Sequence, residues 1–182
     1  MLDLQSNKLA RSISPHIGNL SFLRLIALFE NSLSQEIPPE LGHLSRLKYL
    51  YLNKNLLGGE IPTNISYCSN LIEIDVGWNV LVGKIPVEFG SLSKLELLFI
   101  HANNLTGGIP LTFGNSSSLQ KFSATPNYIG GSIPDALGKL ENLSHIALDG
   151  NRLSGTIPPS IFNLSSIRNL RMSDNQLEGN PP

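Results

Sequence analysis

The stretch Leu143–Ser166, LSHIALDGNRLSGTIPPSIFNLSS, contains the phrase from which the rest of the chain is built. Its leucines, isoleucine and asparagine follow the spacing L-x-x-L-x-L-x-x-N-x-L. This spacing returns along the sequence with no insertion or deletion, so that an asparagine recurs every 24 residues. The marker asparagines are Asn7, Asn31, Asn55, Asn79, Asn103, Asn127, Asn151 and Asn175.

Two further columns of residues stay in phase with these asparagines. An apolar residue follows each asparagine by two positions, and in seven units an isoleucine follows four positions later. Six of those isoleucines precede a proline. A repeat of this length and spacing is typical of leucine-rich repeats, in which each unit adds one short strand to a curved parallel sheet.

We therefore predict an α/β solenoid that occupies residues 1–182 as one leucine-rich-repeat domain. The array is expected to be right-handed, with a curved parallel β-sheet on its concave face. Short second strands and 3₁₀ or irregular turns are expected on the convex side. The concave strands are expected near residues 1–6, 25–30, 49–54, 73–78, 97–102, 121–126, 145–150 and 169–174.

Each recurring residue type has a predicted structural role. The apolar positions point inward and become a continuous core only when neighbouring units stack. The asparagine amide is expected to bond backbone groups of its own turn and the next, which would otherwise be buried without partners. The unit that contains Ala124 and Pro126 is the least regular, because a small residue takes a core position and a proline interrupts the ladder.

The composition argues against several classes of partner. The net charge is −1 and charged residues make up 15% of the chain, so no basic excess favours nucleic acid or anionic lipid. No metal-ligand spacing occurs, and no cofactor is expected. Cys68 stands where other units mostly have leucine, which favours a buried thiol. We find neither a signal peptide nor an apolar run of about 18 residues, the length that a membrane helix needs.

The extended phrase N-x-L-x-G-x-I-P-x-x-L/I-G-x-L, seen in Gly83–Leu92 and Ser132–Leu140, resembles the plant-specific class of leucine-rich repeats. The chain is similar to the ectodomain of plant leucine-rich-repeat receptor-like kinases, close in style to their immune-receptor subfamily. This resemblance implies an extracellular array that binds a peptide or protein ligand, together with a possible co-receptor. It also implies cysteine-paired caps, a membrane helix and a Ser/Thr kinase domain.

None of those additional parts occurs in this sequence. The first unit begins at its strand, and Pro181 stands where an isoleucine is expected. We therefore expect a fragment of a longer array, held on the extracellular side of the plasma membrane by a parent receptor. Any kinase activity would belong to that parent. The R-x-R pair with which some relatives hold a peptide carboxyl terminus is also missing, because Arg171 is followed two residues later by Ser173.

Six N-x-S/T sequons are candidate acceptors of N-linked glycans in a secreted protein. None lies at an outward-facing position of a predicted concave strand, as expected if glycans cover the other faces. The repeat itself explains part of this number, because three sequons share one repeat position. The six asparagines are Asn19, Asn64, Asn104, Asn115, Asn142 and Asn163.

The repeat does not dictate the outward-facing positions of the concave strands, so these positions carry the information about a partner. Large apolar side chains on neighbouring strands would form an open patch, which we interpret as a ligand-binding surface. The alternative is that they pack against each other as cross-strand pairs. Two acidic residues beside them would either pair with a cationic group or simply be solvated. The candidate ligand-binding residues are Phe29, Tyr49, Tyr51, Glu73, Asp75, Trp78, Leu97, Phe99 and His101.

No enzymatic activity is predicted for these residues. Glu73 and Asp75 are a plausible carboxylate pair, but a shallow sheet provides no water-excluding cleft and no obvious means to raise one pKa. His101 and His145 lie on different strands with no nucleophile evidently beside either. The alternative function is a secreted enzyme inhibitor resembling polygalacturonase-inhibiting proteins, which share these repeats. A cytosolic nucleotide-binding immune receptor is a third reading, against which the regular phase argues.

Overall fold

The computed structural model describes residues 1–180, which form the α/β solenoid that the repeat predicts. Eight parallel strands build one concave sheet, and each strand pairs with the strand of the next unit along the chain. No helix in residues 1–180 has the length and apolar character needed to cross a membrane. The concave strands are Leu2–Asp3, Leu25–Ala27, Tyr49–Tyr51, Glu73–Asp75, Leu97–Phe99, Lys121–Ser123, His145–Ala147 and Asn169–Arg171.

These strands are shorter than predicted. The last seven begin at the expected residue but end after three residues instead of six. Before every marker asparagine except Asn127, which follows Pro126, the preceding residue has its backbone in the left-handed region, at the last position of the predicted strand. Its φ is 55° at Lys54, 53° at Trp78 and 62° at Gly150. Such a residue turns the chain out of the sheet, so the last predicted strand residue lies at a corner.

The convex side consists of short second strands and single helical turns. Six of these turns, Pro15–Asn19, Pro39–His43, Thr63–Tyr67, Val87–Ser91, Leu111–Asn115 and Asp135–Lys139, are 3₁₀ helices. The seventh, Pro159–Phe162, was expected to be 3₁₀ or irregular but is α-helical. Among the described residues no later turn packs on it, so the close stacking that constrains the other turns is missing there. The second strands are Ala10–Arg11, Ser32–Glu36, Leu56–Gly58, Gly130–Ser132, Arg152–Gly155 and Gln176–Leu177.

The core is a single column of leucine and isoleucine side chains between the concave sheet and the convex turns. Ala124 takes a core position, as predicted, and the buried ring of Phe122 in the same unit packs edge-on against Phe113, with ring centroids 5.4 Å apart. Cys68 is fully buried and its thiol donates a hydrogen bond to the Leu41 carbonyl. Burial raises the pKa of this thiol to about 11, so Cys68 is an inert core residue.

The marker asparagines connect each turn to the preceding one. Asn79 Nδ2 donates to the carbonyls of Leu52 at 3.0 Å, Val76 at 3.0 Å and Gly77 at 3.2 Å. Its Oδ1 accepts from the Leu57 N–H at 2.9 Å. Because Leu52 and Leu57 belong to the preceding turn, one buried amide satisfies backbone groups of two units at once. The hydrogen bonds expected of this column are therefore present.

Asn7 is the exception in this column. Its Nδ2 reaches only the Gln5 carbonyl, and the residue is exposed because no turn precedes it in the described residues. At the other end of the array, the sequence predicts that the repeat pattern is lost at Pro181. This residue lies outside the described residues.

Close stacking of the convex turns accounts for the glycine that follows the repeat isoleucine by five positions. At Gly90 an added Cβ would lie 2.4 Å from the Thr112 carbonyl oxygen of the next turn, which is too close for any side chain. The glycine two positions before the isoleucine is explained by its backbone conformation, since Gly83 has a φ of +78°. Gln35 takes the same repeat position with a φ of 70°, so its unit carries backbone strain that glycine avoids.

Pro126 removes one hydrogen bond from the ladder that ends the concave strands. In neighbouring units the residue at this position donates its N–H to the next turn, as Ala102 does to the Thr125 carbonyl at 3.2 Å. Proline has no N–H to donate. The Thr125 hydroxyl instead donates to the Asp149 carbonyl, so the predicted weak point is bridged by a side chain.

Replacement of a buried marker asparagine should destabilise the solenoid strongly. We expect Asn79→Ala to lower the free energy of unfolding by about 3 kcal/mol, because several buried backbone groups lose their partner. Asn7→Ala is the matched control and should change it by less than about 0.5 kcal/mol, since this side chain is exposed. Urea unfolding followed by circular dichroism measures both values. Equal losses in the two variants would contradict the assigned role of the amide.

Candidate ligand-binding face

The register of the concave sheet aligns the outward-facing residues into two rows. The central residue of each strand points into the core, and the residues on either side of it face outward. The first row is Leu25, Tyr49, Glu73, Leu97, Lys121, His145 and Asn169. The second row is Asp3, Ala27, Tyr51, Asp75, Phe99, Ser123, Ala147 and Arg171.

The predicted aromatic patch consists of two separate clusters. In the first, the rings of Tyr49 and Tyr51 stack with centroids 6.3 Å apart, and Phe29 meets Tyr51 edge-on at 6.5 Å. In the second, the imidazole of His101 lies edge-on to Trp78 at 6.4 Å and to Phe99 at 6.3 Å. Each cluster therefore joins side chains from two neighbouring units.

Gly77 makes room for the second cluster. A Cβ added at Gly77 would lie 2.5 Å from Cε1 of His101, so the imidazole rests directly on the glycine backbone. The Nδ1 atom of His101 is buried in this position and has no hydrogen-bond partner among the described residues. Glycine at this outward position is thus what allows His101 to lie flat between Trp78 and Phe99.

The acidic strand separates the two clusters. Tyr51 donates its hydroxyl to Glu73 Oε2 at 2.8 Å, and Asp75 Oδ1 accepts the Gly77 N–H at 2.9 Å. Burial, and then the bond to Glu73, raises the pKa of the Tyr51 hydroxyl, which stays protonated as a donor. Glu73 is therefore not a freely solvated carboxylate, since a neighbouring aromatic side chain orients it.

Asp75 corrects an expectation from the sequence. A shallow sheet was expected to provide no means of raising a carboxyl pKa, but Asp75 is half-buried, with Tyr51 and Phe99 at the neighbouring positions of its row. This burial raises the pKa of Asp75, and the hydrogen bond from the Gly77 N–H and the charge of His101 oppose the shift. The structure thus holds a partly desolvated carboxyl group at the centre of the concave face.

The exposure of the predicted residues also differs from the expectation of an open patch. Of the apolar and aromatic candidates only Trp78 is exposed, at 59% of its surface. Phe29, Tyr49, Tyr51 and Phe99 are half-buried, and so are Leu97 and His101. Cross-strand packing therefore covers part of each ring, as the alternative interpretation holds, while the corner position leaves the Trp78 indole free to contact a partner.

Sequence reasoning missed a depression further along the same face. Its volume is about 290 Å³, and the residues that line it include Phe99, Lys121, Ser123, His145, Ala147 and Arg171. The small side chains of Ser123 and Ala147 form its floor between two large residues of the second row. That alternation of large and small residues in one row is the signal that could have revealed it.

Arg171 closes one side of this depression. Its Nε lies 3.0 Å from Asp149 Oδ2, and Asp149 Oδ1 accepts hydrogen bonds from the N–H and hydroxyl of Ser173. Ser173, which takes the place of the second arginine of an R-x-R pair, thus helps to hold the carboxylate that pairs with Arg171. This ion pair uses only Nε, so both terminal nitrogens of the guanidinium have no partner among the described residues.

The six sequon asparagines lie outside the concave sheet. Asn64 is half-buried and the other five are exposed. Asn19 and Asn115 each end a convex 3₁₀ turn, and Asn163 directly follows the α-helical one. This placement leaves the two rows of the concave face free of candidate glycans.

The half-buried carboxyl group of Asp75 makes a testable contribution to stability. Because the folded pKa of Asp75 is raised, the wild type loses stability as the pH rises through the range between the unfolded and folded pKa values. Asp75→Asn keeps an oxygen for the Gly77 N–H and carries no charge. We expect it to unfold at higher urea concentration than the wild type at pH 7, with the difference shrinking as the pH falls towards 3. A variant that is less stable at pH 7 would show that the charge is needed.

Comparison with known proteins finds similar geometry in plant receptor ectodomains. The model of the family described as Leucine Rich Repeat matches residues 46–68, 94–116 and 142–164. No curated protein matches the chain. One similar solved structure is the ectodomain of the membrane receptor kinase GASSHO1/SCHENGEN3 from Arabidopsis thaliana in complex with CASPARIAN STRIP INTEGRITY FACTOR 2. It has a TM-score of 0.93 and 36% identity, over 96% of this chain and 21% of that chain.

Two further receptors are equally similar in structure. The plant peptide hormone receptor RGFR1 in complex with RGF2 has a TM-score of 0.95 and 34% identity, over 97% of this chain and 29% of that chain. The Arabidopsis receptor kinase HAESA, solved with the peptide hormone IDA and the co-receptor SERK1, has a TM-score of 0.93 and 33% identity. The match covers 97% of this chain and 30% of that chain. The chain spans less than a third of each of these receptors. The chain is an array of leucine-rich repeats, similar to the arrays in these plant receptor-kinase ectodomains.

Proposed function

We propose that the chain is the ligand-recognition segment of a plant cell-surface receptor-like kinase and binds a peptide or protein through its concave face. The observation that carries this proposal is the arrangement around Glu73 and Asp75, where two aromatic clusters border a partly desolvated acidic strand. The repeat requires none of these side chains for stacking, because other units have lysine, serine or alanine at the same positions.

The similar receptors support this proposal. Their structures contain RGF2 in one case, and the peptide hormone IDA with the co-receptor SERK1 in another. By analogy, this segment would act on the extracellular side of the plasma membrane within a longer receptor, with a peptide ligand and a co-receptor as partners. The glycan acceptors proposed on the other faces would leave the concave face accessible.

Trp78 is the proposed anchor of the bound ligand. Exposed tryptophan on a fixed backbone offers a large contact area at low entropic cost, and aromatic residues dominate binding hot spots. His101 packs against the indole and limits its movement. Beside it, the carboxylates of Glu73 and Asp75 offer partners for a cationic group, which would gain from the low local polarity.

Truncation of the aromatic anchors should abolish binding. The probe is a phage library of random linear dodecapeptides, selected on the full 182-residue chain. For the selected peptides we expect Tyr49→Ala, Tyr51→Ala and Trp78→Ala combined to weaken binding at least about 100-fold, because hot-spot truncations cost about 2 kcal/mol or more each. Isothermal titration calorimetry measures the change.

A matched control removes three exposed aromatic side chains from other parts of the solenoid. Phe22, Tyr67 and Phe162 are exposed at 63%, 68% and 42% and lie outside the concave sheet. Their combined replacement by alanine should leave peptide affinity within about twofold. Undiminished binding by the concave variant, or an equal loss in both variants, would refute binding through the concave face.

A further inference from the structure

The depression beside the aromatic clusters has one cationic side chain, Lys121, without an ion-pair partner in the described chain, and a second, Arg171, whose ion pair with Asp149 uses only one nitrogen. No acidic side chain in residues 1–180 forms an ion pair with Lys121, which is exposed at its rim. Arg171 uses Nε for Asp149 and retains its terminal nitrogens. His145 shares Nδ1 with the Ser144 hydroxyl at 2.8 Å and retains Nε2.

The concave face therefore has negative and positive charges at different places along its rows. Glu73 and Lys121 belong to the same row, separated only by Leu97. With strands about 4.8 Å apart, the acidic strand lies about 10 Å from Lys121 and about 14 Å from His145. An extended peptide advances about 3.3 Å per residue, so this separation corresponds to about three or four residues of a ligand lying along the rows.

The strand between the two charged regions is apolar. Leu97 and Phe99 present half-buried side chains there, and the Phe99 ring also forms one wall of the depression. A ligand that follows the rows would thus meet carboxylates, then an apolar strip, then a cationic depression of about 290 Å³. That volume exceeds what a single carboxylate and its side chain occupy, and the floor of Ser123 and Ala147 adds no charge of its own.

We propose that the depression binds an acidic side chain of an extended peptide, whose basic residue lies three or four positions away over Glu73 and Asp75. This inference rests on the proposed function and adds to it the order of charged residues along the ligand. Lys121 and the free nitrogens of Arg171 supply charge-assisted hydrogen bonds to the carboxylate, and His145 supplies a third polar contact. The opposite signs at the two ends specify the direction in which the peptide lies.

The test uses the dodecapeptide library and a reversal of one charge. Selection on the wild-type chain should enrich peptides with Lys or Arg three or four positions from Asp or Glu. Selection on Lys121→Glu should replace the acidic position by a basic one, and Lys121→Met should remove the preference. Lys139→Glu, in the convex turn Asp135–Lys139, makes the same charge change and should select the same peptides as the wild type.

Affinities of synthetic peptides give the second measurement. The best wild-type peptide should lose about tenfold in affinity for Lys121→Glu, and about the same when its acidic residue is replaced by the amide. Amidation of its C-terminus should have no effect. A tenfold loss on amidation would assign the depression to a chain end instead and overturn the inference.

The remaining outcomes separate the inference from the proposed function. If peptides are enriched and depend on Trp78, but their charge pattern is the same for wild type and Lys121→Glu, the proposed charge order of the ligand is wrong. Binding through the concave face is then still supported. If no peptide depends on Tyr49, Tyr51 or Trp78, the proposed function is refuted, and the inference that rests on it is refuted too. Circular dichroism of each variant confirms that the solenoid is intact before affinities are compared.

Discussion

The buried amide of the marker asparagine is the interaction on which the rest of the structure depends. From Asn31 onward each one satisfies carbonyl groups of its own turn and carbonyl and N–H groups of the turn before, as Asn79 does for Leu52 and Leu57. A turn with one more or one fewer residue would carry the amide away from these groups and leave them buried without partners. This requirement explains why the 24-residue period is kept without an insertion.

Constant turn length has a direct consequence for binding. Because every strand enters the sheet in the same register, the outward-facing positions align into straight rows, and neighbouring units can combine their side chains. A single unit offers two or three outward groups, which is too few to recognise a partner. Over adjacent units the rows assemble the aromatic clusters, the acidic strand with Glu73 and Asp75, and the cationic depression around Lys121. Recognition is therefore a property of the array and not of any one repeat.

Packing between rows also changes the chemistry of individual residues. Asp75 would be an ordinary exposed carboxylate on an isolated strand, but between Tyr51 and Phe99 of the adjoining strands it is half-buried, and this burial raises its pKa. Tyr51 holds Glu73 in place in the same way, through a hydroxyl that belongs to the preceding strand. The positive φ at Trp78 has a comparable effect, since it moves the indole from the sheet to a corner and leaves it exposed. These effects arise between units, where the spacing of a single repeat contains no information.

The sequence by itself determined the solenoid, the start of the strands, the inward and outward positions and the burial of Cys68. It could do so because a strict period links each residue type to one structural role, whatever its neighbours are. Only the tertiary structure decided how far each ring is covered, which carboxyl group is desolvated and where the depression opens. Those properties depend on side chains that are 24 or more residues apart in sequence and adjacent in the sheet, such as Phe99, Ser123 and Ala147. Their sizes and contacts follow from packing between strands, which the periodicity of the chain does not encode.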